Sequence, residues 1–135
     1  MGQILQFQLV ILTRYGHLDI VQALLKHKDI EVNVAEYHNS TPIGLATEYG
    51  HAKVVELLLQ RTTTEFINKA DNDGDYPLTI AAREGHDRVV EVLLCHPGID
   101  LESQDQSNRT AVEWAREKGN KRTIQMLEKA QTKAN

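Results

Sequence analysis

A Gly-His pair recurs along the chain at almost constant spacing, and this repeat constrains the fold more than any other feature. The pairs are Gly16-His17, Gly50-His51 and Gly85-His86, and Gly119-Asn120 continues the series. Successive glycines lie 34, 35 and 34 residues apart, and the apolar residues before and after them align in the same register. A period of this length predicts similar supersecondary units that stack on one another.

The second unit indicates how each copy folds locally. Thr41 is a suitable N-cap residue, and Pro42 suits the first helical turn, where its missing N–H needs no partner. Gly50 favours the left-handed backbone that ends a helix, and the apolar residues of 54–59 cover a broad face of a second helix. Since two short helices cannot bury such a face alone, the pattern predicts helix-turn-helix units that bury it against their neighbours.

Polar turns also recur between the units, at residues 36–39, 71–74 and 105–108. Each begins with an acidic residue that can accept hydrogen bonds from the turn backbone. Each ends in Gly or Asn, the residue types that tolerate a positive φ. We therefore expect β-hairpin-like tips that project from the stack.

Together these features resemble the ankyrin repeat, whose signature is a Thr-Pro-Leu-His-x-Ala opening, a Gly-His between two helices and a period of roughly 33 residues. Thr41-Pro42, Pro77-Leu78 and the three Gly-His pairs carry the resemblance, which extends over residues 7 to about 129. It implies an all-α fold, an ankyrin-repeat solenoid of stacked helix-turn-helix units with β-hairpin-like loops. A single domain would span residues 1–135, with repeats at about 7–40, 41–75, 76–109 and 110–135.

The sequence departs from the ankyrin pattern in two ways. The histidine of the opening motif is replaced by Gly44, Thr79 and Glu113, so the hydrogen bonds that it makes in the family are expected to be missing. Extra residues follow the second helix of the earlier units, for example at 62–64. We expect them to lengthen a surface loop without disturbing the core.

The two ends of the chain differ in polarity. The last unit carries polar residues that suit a solvated capping helix or a docking patch for an acidic partner: Lys121, Arg122, Gln125, Glu128 and Lys129. Residues 4–12 are more apolar than one face of a short helix requires. Three alternatives remain open: an upstream unit has been cut away, this segment pairs with a second chain, or it folds over as an improvised cap. We expect a monomer, with a dimer through this segment as the alternative.

Composition excludes several classes of protein. Fifteen Lys and Arg against nineteen Asp and Glu give a net charge of -4, and only 5% of residues are aromatic, which disfavours nucleic-acid binding. A single cysteine excludes an internal disulfide and favours a reducing compartment, the cytoplasm or the nucleus. The longest apolar run is too short for a membrane span, so we expect no membrane association.

Residue groups that suggest metal binding lack the required spacing. His17, His51 and His86 occupy one position in successive units, and helices about 8–10 Å apart hold them too far from one another to share a zinc ion. The acidic turn at 71–75 begins like a calcium loop, but its glycine falls at the fourth loop position and Ala82 stands at the twelfth. We expect no metal and no cofactor.

Catalytic groupings are not evident either. No glycine loop of phosphate-binding spacing is present. Cys95 has no second cysteine beside it, and we expect it to be a small, semi-buried packing residue at the end of a second helix. We therefore predict that the chain is not an enzyme, and a zinc-dependent enzyme is the remote alternative.

The resemblance implies a non-catalytic module that binds another, unidentified protein through the concave face of hairpin tips and first helices. The alternatives are a fragment of a larger ankyrin-repeat protein that serves as a targeting or spacer domain, and an engineered scaffold. Carried over position by position, the candidate contact residues are Arg14, Tyr15, Tyr37, His38, Ser40, Glu48, Tyr49, Asn72, Asp73, Asp75, Arg83, Glu84, Gln106, Ser107 and Arg109. We expect the tyrosines to be the anchor, because tyrosine is enriched at binding hot spots, and the acidic tip to favour a cationic partner.

Overall fold

The computed structural model describes residues 2–27, 29–35 and 38–134, with side chains in the first helix from Leu9 onward. Within these ranges the chain forms nine helices and no β-strand. The helices are α1 Gly2–Tyr15, α2 Leu18–Leu25, α3 Pro42–Glu48, α4 Ala52–Leu59, α5 Thr64–Ile67, α6 Pro77–Glu84, α7 Asp87–Leu93, α8 Ala111–Lys118 and α9 Lys121–Ala134.

Eight of these helices form four helix-turn-helix units. The pairs are α1 with α2, α3 with α4, α6 with α7 and α8 with α9. The first helices α1, α3, α6 and α8 pack in one row, and the second helices α2, α4, α7 and α9 pack in a parallel row behind them. The prediction of an all-α solenoid is confirmed.

The core is a continuous apolar seam between the rows. Val55, Leu58, Val90 and Leu93, which the repeat predicts to be sandwiched between units, have no exposed surface. A solenoid depends on such a seam, because no unit has enough apolar contact within itself to be stable.

The Gly-His pairs contact and hydrogen-bond neighbouring units. Gly16 and Gly50 have φ of 72° and 74°, and a β-carbon on either would collide with the histidine ring of the next unit. The Nε2 of His51 lies 2.8 Å from the carbonyl oxygen of Arg14, and that of His86 lies 3.2 Å from the carbonyl oxygen of Glu48. Each histidine thus bonds a carbonyl at the end of the preceding unit's first helix, where carbonyls have no partner within the helix.

Other side chains cap the first helices in place of the missing family histidine. Thr41 accepts a bond from Gly44 N at 3.0 Å, which confirms it as an N-cap. Thr79 Oγ1 accepts from Tyr76 N at 3.0 Å, and a carboxylate oxygen of Glu113 accepts from Thr110 N at 3.2 Å. Two of the three residues that replace the histidine, Thr79 and Glu113, therefore accept hydrogen bonds at the start of the helix, and in the second unit Thr41 is the acceptor instead.

Two local expectations were wrong. The residues after α4 do not form a plain surface loop, because 64–67 form the helix α5 and Ile67, 1% exposed, joins the core. Cys95 is exposed and not semi-buried, and it lies beyond α7, which ends at Leu93.

The ends of the stack differ as their sequences do. All five polar residues singled out in the last unit, between 121 and 129, are exposed on α9. At the other end, helix α1 runs from Gly2 to Tyr15, so the apolar residues of 4–12 all lie within one helix. Among the described residues, no helix is both long and apolar enough to cross a lipid bilayer.

Candidate protein-binding groove

The tip at 71–75 positions a set of carboxylates at the edge of the stack. Asp71 N donates to Asp75 O at 2.9 Å and Gly74 N donates to Asp71 O at 3.0 Å. The Oδ1 of Asp71 also accepts from the backbone N–H groups of Asp73 and Asp75, at 2.9 and 3.0 Å. Gly74 has a φ of 77°, as predicted for the end of the turn. These bonds fix the turn and hold its acidic side chains together.

A groove of about 200 Å³ lies between this tip and the ends of the first three first helices. Its lining residues are Arg14, His38, Ser40, Leu45, Glu48, Tyr49, Asp71, Asp73, Asp75, Ile80 and Arg83. Leu45 and Ile80 are only 3% and 4% exposed, so they form an apolar floor beneath polar walls. Apart from these two residues and Tyr49 the lining is polar or charged, so the groove is a mostly polar surface with a small apolar floor.

Tyr49 provides an aromatic wall of the groove. Its side chain is 43% exposed, and its ring stacks against His51 with centroids 6.5 Å apart. The Arg14 guanidinium carbon lies 5.2 Å from the Tyr49 ring centroid and 5.7 Å from that of Tyr15. These contacts hold the ring in place while leaving much of it exposed, which suits a residue that anchors a partner.

The opposite wall of the groove is acidic, and arginine balances only part of its negative charge. Burial raises the pKa of Glu48, and the nearby negative charge of Asp71 raises it further. Burial also raises the pKa of Asp71, although its bonds from backbone N–H groups act in the other direction. Arg83 donates to Asp75 at 3.0 Å, and this bond keeps the pKa of Arg83 raised despite its burial. The wall therefore holds carboxylates in an environment that disfavours their negative charge.

The acidic tip does not require a metal ion to explain its geometry. Asp71, Asp73 and Asp75 each offer an oxygen within 4.8 Å of the others. However, Asp71 is engaged by two backbone N–H groups and Asp75 by Arg83. Hydrogen bonds within the turn account for the cluster, and exposed acidic groups often occur without a cation.

Beyond the groove, the fourth unit carries an aromatic site that the sequence prediction missed. Trp114 Nε1 donates to Asp105 Oδ2 at 2.5 Å, and Asp105 is 6% exposed. The guanidinium carbon of Arg109 lies 4.8 Å from the ring centroid, and Arg109 also pairs with Glu117. Lys118 approaches the same ring at 5.8 Å. The available signal was the repeat register, which places the single tryptophan at the position of Leu45 and Ile80.

The structure brings together about half of the predicted contact residues. Eight of them line the groove: Arg14, His38, Ser40, Glu48, Tyr49, Asp73, Asp75 and Arg83. Six lie outside that lining: Tyr15, Asn72, Glu84, Gln106, Ser107 and Arg109. Tyr15 is 61% exposed beside Arg14, Glu84 accepts a hydrogen bond from Arg83, and Arg109 lies against the ring of Trp114. Asn72 and Ser107 are exposed, and Gln106 lies against Gly74. Tyr37 lies outside the described residues. The floor residues Leu45 and Ile80 were not predicted, because their exposure depends on how units stack.

Comparison with known proteins agrees with this architecture. The family model for ankyrin repeats, which spans three copies, matches residues 7–71 and again 62–135. No curated protein matches the chain. Proteins of this family are generally protein–protein interaction modules and typically not enzymes. The stacked units, the Gly-His turns and the family match together show that the chain belongs to the ankyrin repeat family.

Proposed function

We propose that the chain binds a partner protein through the groove centred on Tyr49, and that it is not itself an enzyme. The observation that carries the proposal is an exposed aromatic ring beside an apolar floor and a wall of carboxylates. Tyrosine at the centre of such a surface contributes contact area with little loss of conformational entropy. The general role of the family supports this assignment.

The charges of the groove favour a cationic segment as the partner. Four carboxylates face two arginines in its lining, and Arg83 is already bound to Asp75. The raised pKa values of Glu48 and Asp71 mean that their ionised forms are disfavoured as the protein stands. Burial is the main cause of both raised pKa values and neighbouring carboxylates add to it, so a lysine or arginine side chain placed between Glu48 and Asp71 would stabilise their ionised forms and steer association.

The proposal is tested by affinity capture from the native host, followed by titration calorimetry with the purified partner. We expect the combined Tyr37→Ala and Tyr49→Ala variant to lose at least about tenfold in affinity, because it removes the aromatic anchor. Thermal unfolding of the single Tyr49→Ala variant should stay close to that of the parent chain, because Tyr49 is 43% exposed.

Gln60→Ala is the matched control, because Gln60 is exposed on the opposite side of the stack, in a depression between α4 and α7. It should bind as the parent chain does. Unchanged affinity in the tyrosine variant, or a loss in the Gln60 variant alone, would place the interface elsewhere.

A further inference from the structure

Arg83 lies where the groove at Tyr49 meets the aromatic site at Trp114. It belongs to the last turn of α6, and its side chain lines the groove. Its guanidinium carbon also lies 5.8 Å from the ring centroid of Trp114, within reach of a cation–π contact. The groove therefore contains a cation of its own, which an aromatic ring outside the groove helps to hold.

Two carboxylates also bind this guanidinium. Its Nη1 donates to Asp75 Oδ1 at 3.0 Å, and its Nε donates to Glu84 Oε1 at 3.2 Å. The side chains of Arg83 and Asp75 are only 25% and 15% exposed, so water and salt screen this ion pair less than a pair on the open surface. The negative charge of Asp75 is thus balanced within the fold.

Other carboxylates of the groove are not balanced in this way. Among the described residues, Asp75 is the lining carboxylate that forms an ion pair, whereas Glu48 senses the charges of Arg14 and Arg83 without one. Asp71 accepts hydrogen bonds from two backbone N–H groups, which carry no net charge. Negative charge that no ion pair balances therefore remains at Glu48 and Asp71.

We infer that Arg83 determines how many cations the groove accepts: it occupies Asp75 itself and limits the partner segment to one lysine or arginine, bound by Glu48 and Asp71. The inference rests on the proposed function, because it concerns the same groove. A second cation of the partner would have to approach the charge of Arg83 or displace it from Asp75, and like charges placed together weaken binding. Arg83 is thus a specificity-determining residue of the groove.

Short peptides with one or two arginines test the inference by NMR titration of the full chain. The amide signals of Asp73 and Gly74 report binding at the groove. The parent chain should prefer the two-arginine peptide by no more than about twofold, the statistical factor, whereas Arg83→Gln should prefer it by at least about fivefold because Asp75 is released. A peptide with uncharged citrulline in place of arginine should bind neither chain.

Arg88→Gln is the matched control, because it removes the same charge from an exposed position in the depression between α4 and α7. It should keep the preference of the parent chain, and so should Arg83→Lys, which retains the positive charge. Adding Asp75→Asn to Arg83→Gln should restore the preference of the parent chain, because it removes the released carboxylate. Arg83→Met, with an unbranched and uncharged side chain, is used if circular dichroism shows that Arg83→Gln has unfolded.

The possible outcomes separate the inference from the proposed function. The inference is overturned if the uncharged variants of Arg83 keep the preference of the parent chain, or if Arg88→Gln shifts the preference as far as they do. Equal binding of the citrulline peptide, or no binding of any peptide, would overturn it as well. The proposed function fails separately, if Tyr49→Ala leaves the affinity for the captured partner unchanged.

Discussion

Two turns of the stack share one backbone design and differ in what surrounds them. In the turns at 71–75 and 105–109, the first aspartate accepts bonds from the N–H groups two and four residues later. The distances are 2.9 and 3.0 Å at Asp71, and 2.9 and 3.2 Å at Asp105. Asp71 lines an open groove, whereas Asp105 is nearly buried and its second oxygen accepts from Trp114 Nε1.

One position in the following helix accounts for the difference. Ile80 and Trp114 are equivalent in the repeat, but only tryptophan has an N–H that can reach the aspartate. In the fourth unit the indole occupies the space beside the turn and binds Asp105. In the third unit Ile80 stays in the floor, and the carboxylate of Asp71 remains at the groove. A single residue thus separates a turn that binds the indole of the following helix from one whose carboxylate lines the groove.

The largest expected effect separates the two aromatic residues of these regions. Trp114→Ala should lower the free energy of unfolding by about 3 kcal/mol, because it removes a half-buried ring and leaves Asp105 without its partner. Tyr49→Ala should lower it by less than about 1 kcal/mol, because much of that ring is exposed. Urea unfolding of both variants measures the difference, and equal losses would contradict the contrast.

A smaller effect distinguishes the two aspartates. Asp105 uses both oxygens as acceptors, so the N–H₂ group of Asp105→Asn would face either the indole N–H or the turn N–H groups, donor against donor. The substitution should lower the free energy of unfolding by about 2 kcal/mol. Asp71→Asn keeps its single bonded oxygen and should change the free energy of unfolding by no more than about 0.5 kcal/mol. A chemical unfolding series gives both values. Comparable costs at the two positions would mean that the turns do not differ in role.

The smallest effect is a pH dependence confined to the groove. Asp71 has a higher pKa in the folded chain than its ordinary value, so the folded state binds more protons between those two values. Its contribution to stability therefore falls as the pH rises through that window, and Asp71→Asn removes this contribution. The melting temperature of the Asp71→Asn variant should therefore rise relative to that of the parent chain as the pH rises from about 4 to 7. A constant difference, or a gain at low pH, would contradict the assigned pKa direction.

The sequence was sufficient for the fold because its determinants are local and repeated. The glycine positions, the apolar seam around Val55 and Leu58, and the positive φ of Gly74 and Asn108 each follow from residue type and register. Ankyrin units repeat the same contacts, so the structure predicted for one unit also applies to the other units.

The candidate site was only partly predictable because it depends on contacts between units. The hydrogen bond from Trp114 to Asp105 joins residues nine positions apart, and no periodic pattern in the sequence predicts it. The contact of His51 with the carbonyl of Arg14 spans 37 positions and likewise required the assembled stack. The register alone was enough to predict that Tyr49 lies at the end of a first helix, but it did not predict the apolar floor formed by Leu45 and Ile80.

The central claim is that the groove at Tyr49, and not the aromatic site at Trp114, binds the partner protein. The most direct test is titration calorimetry of the captured partner with Tyr49→Ala and with Trp114→Phe, alongside unfolding of the same samples. We predict that Tyr49→Ala lowers affinity at least about tenfold with little loss of stability, while Trp114→Phe lowers stability and keeps affinity within about threefold. Loss of affinity with Trp114→Phe and none with Tyr49→Ala would contradict the claim.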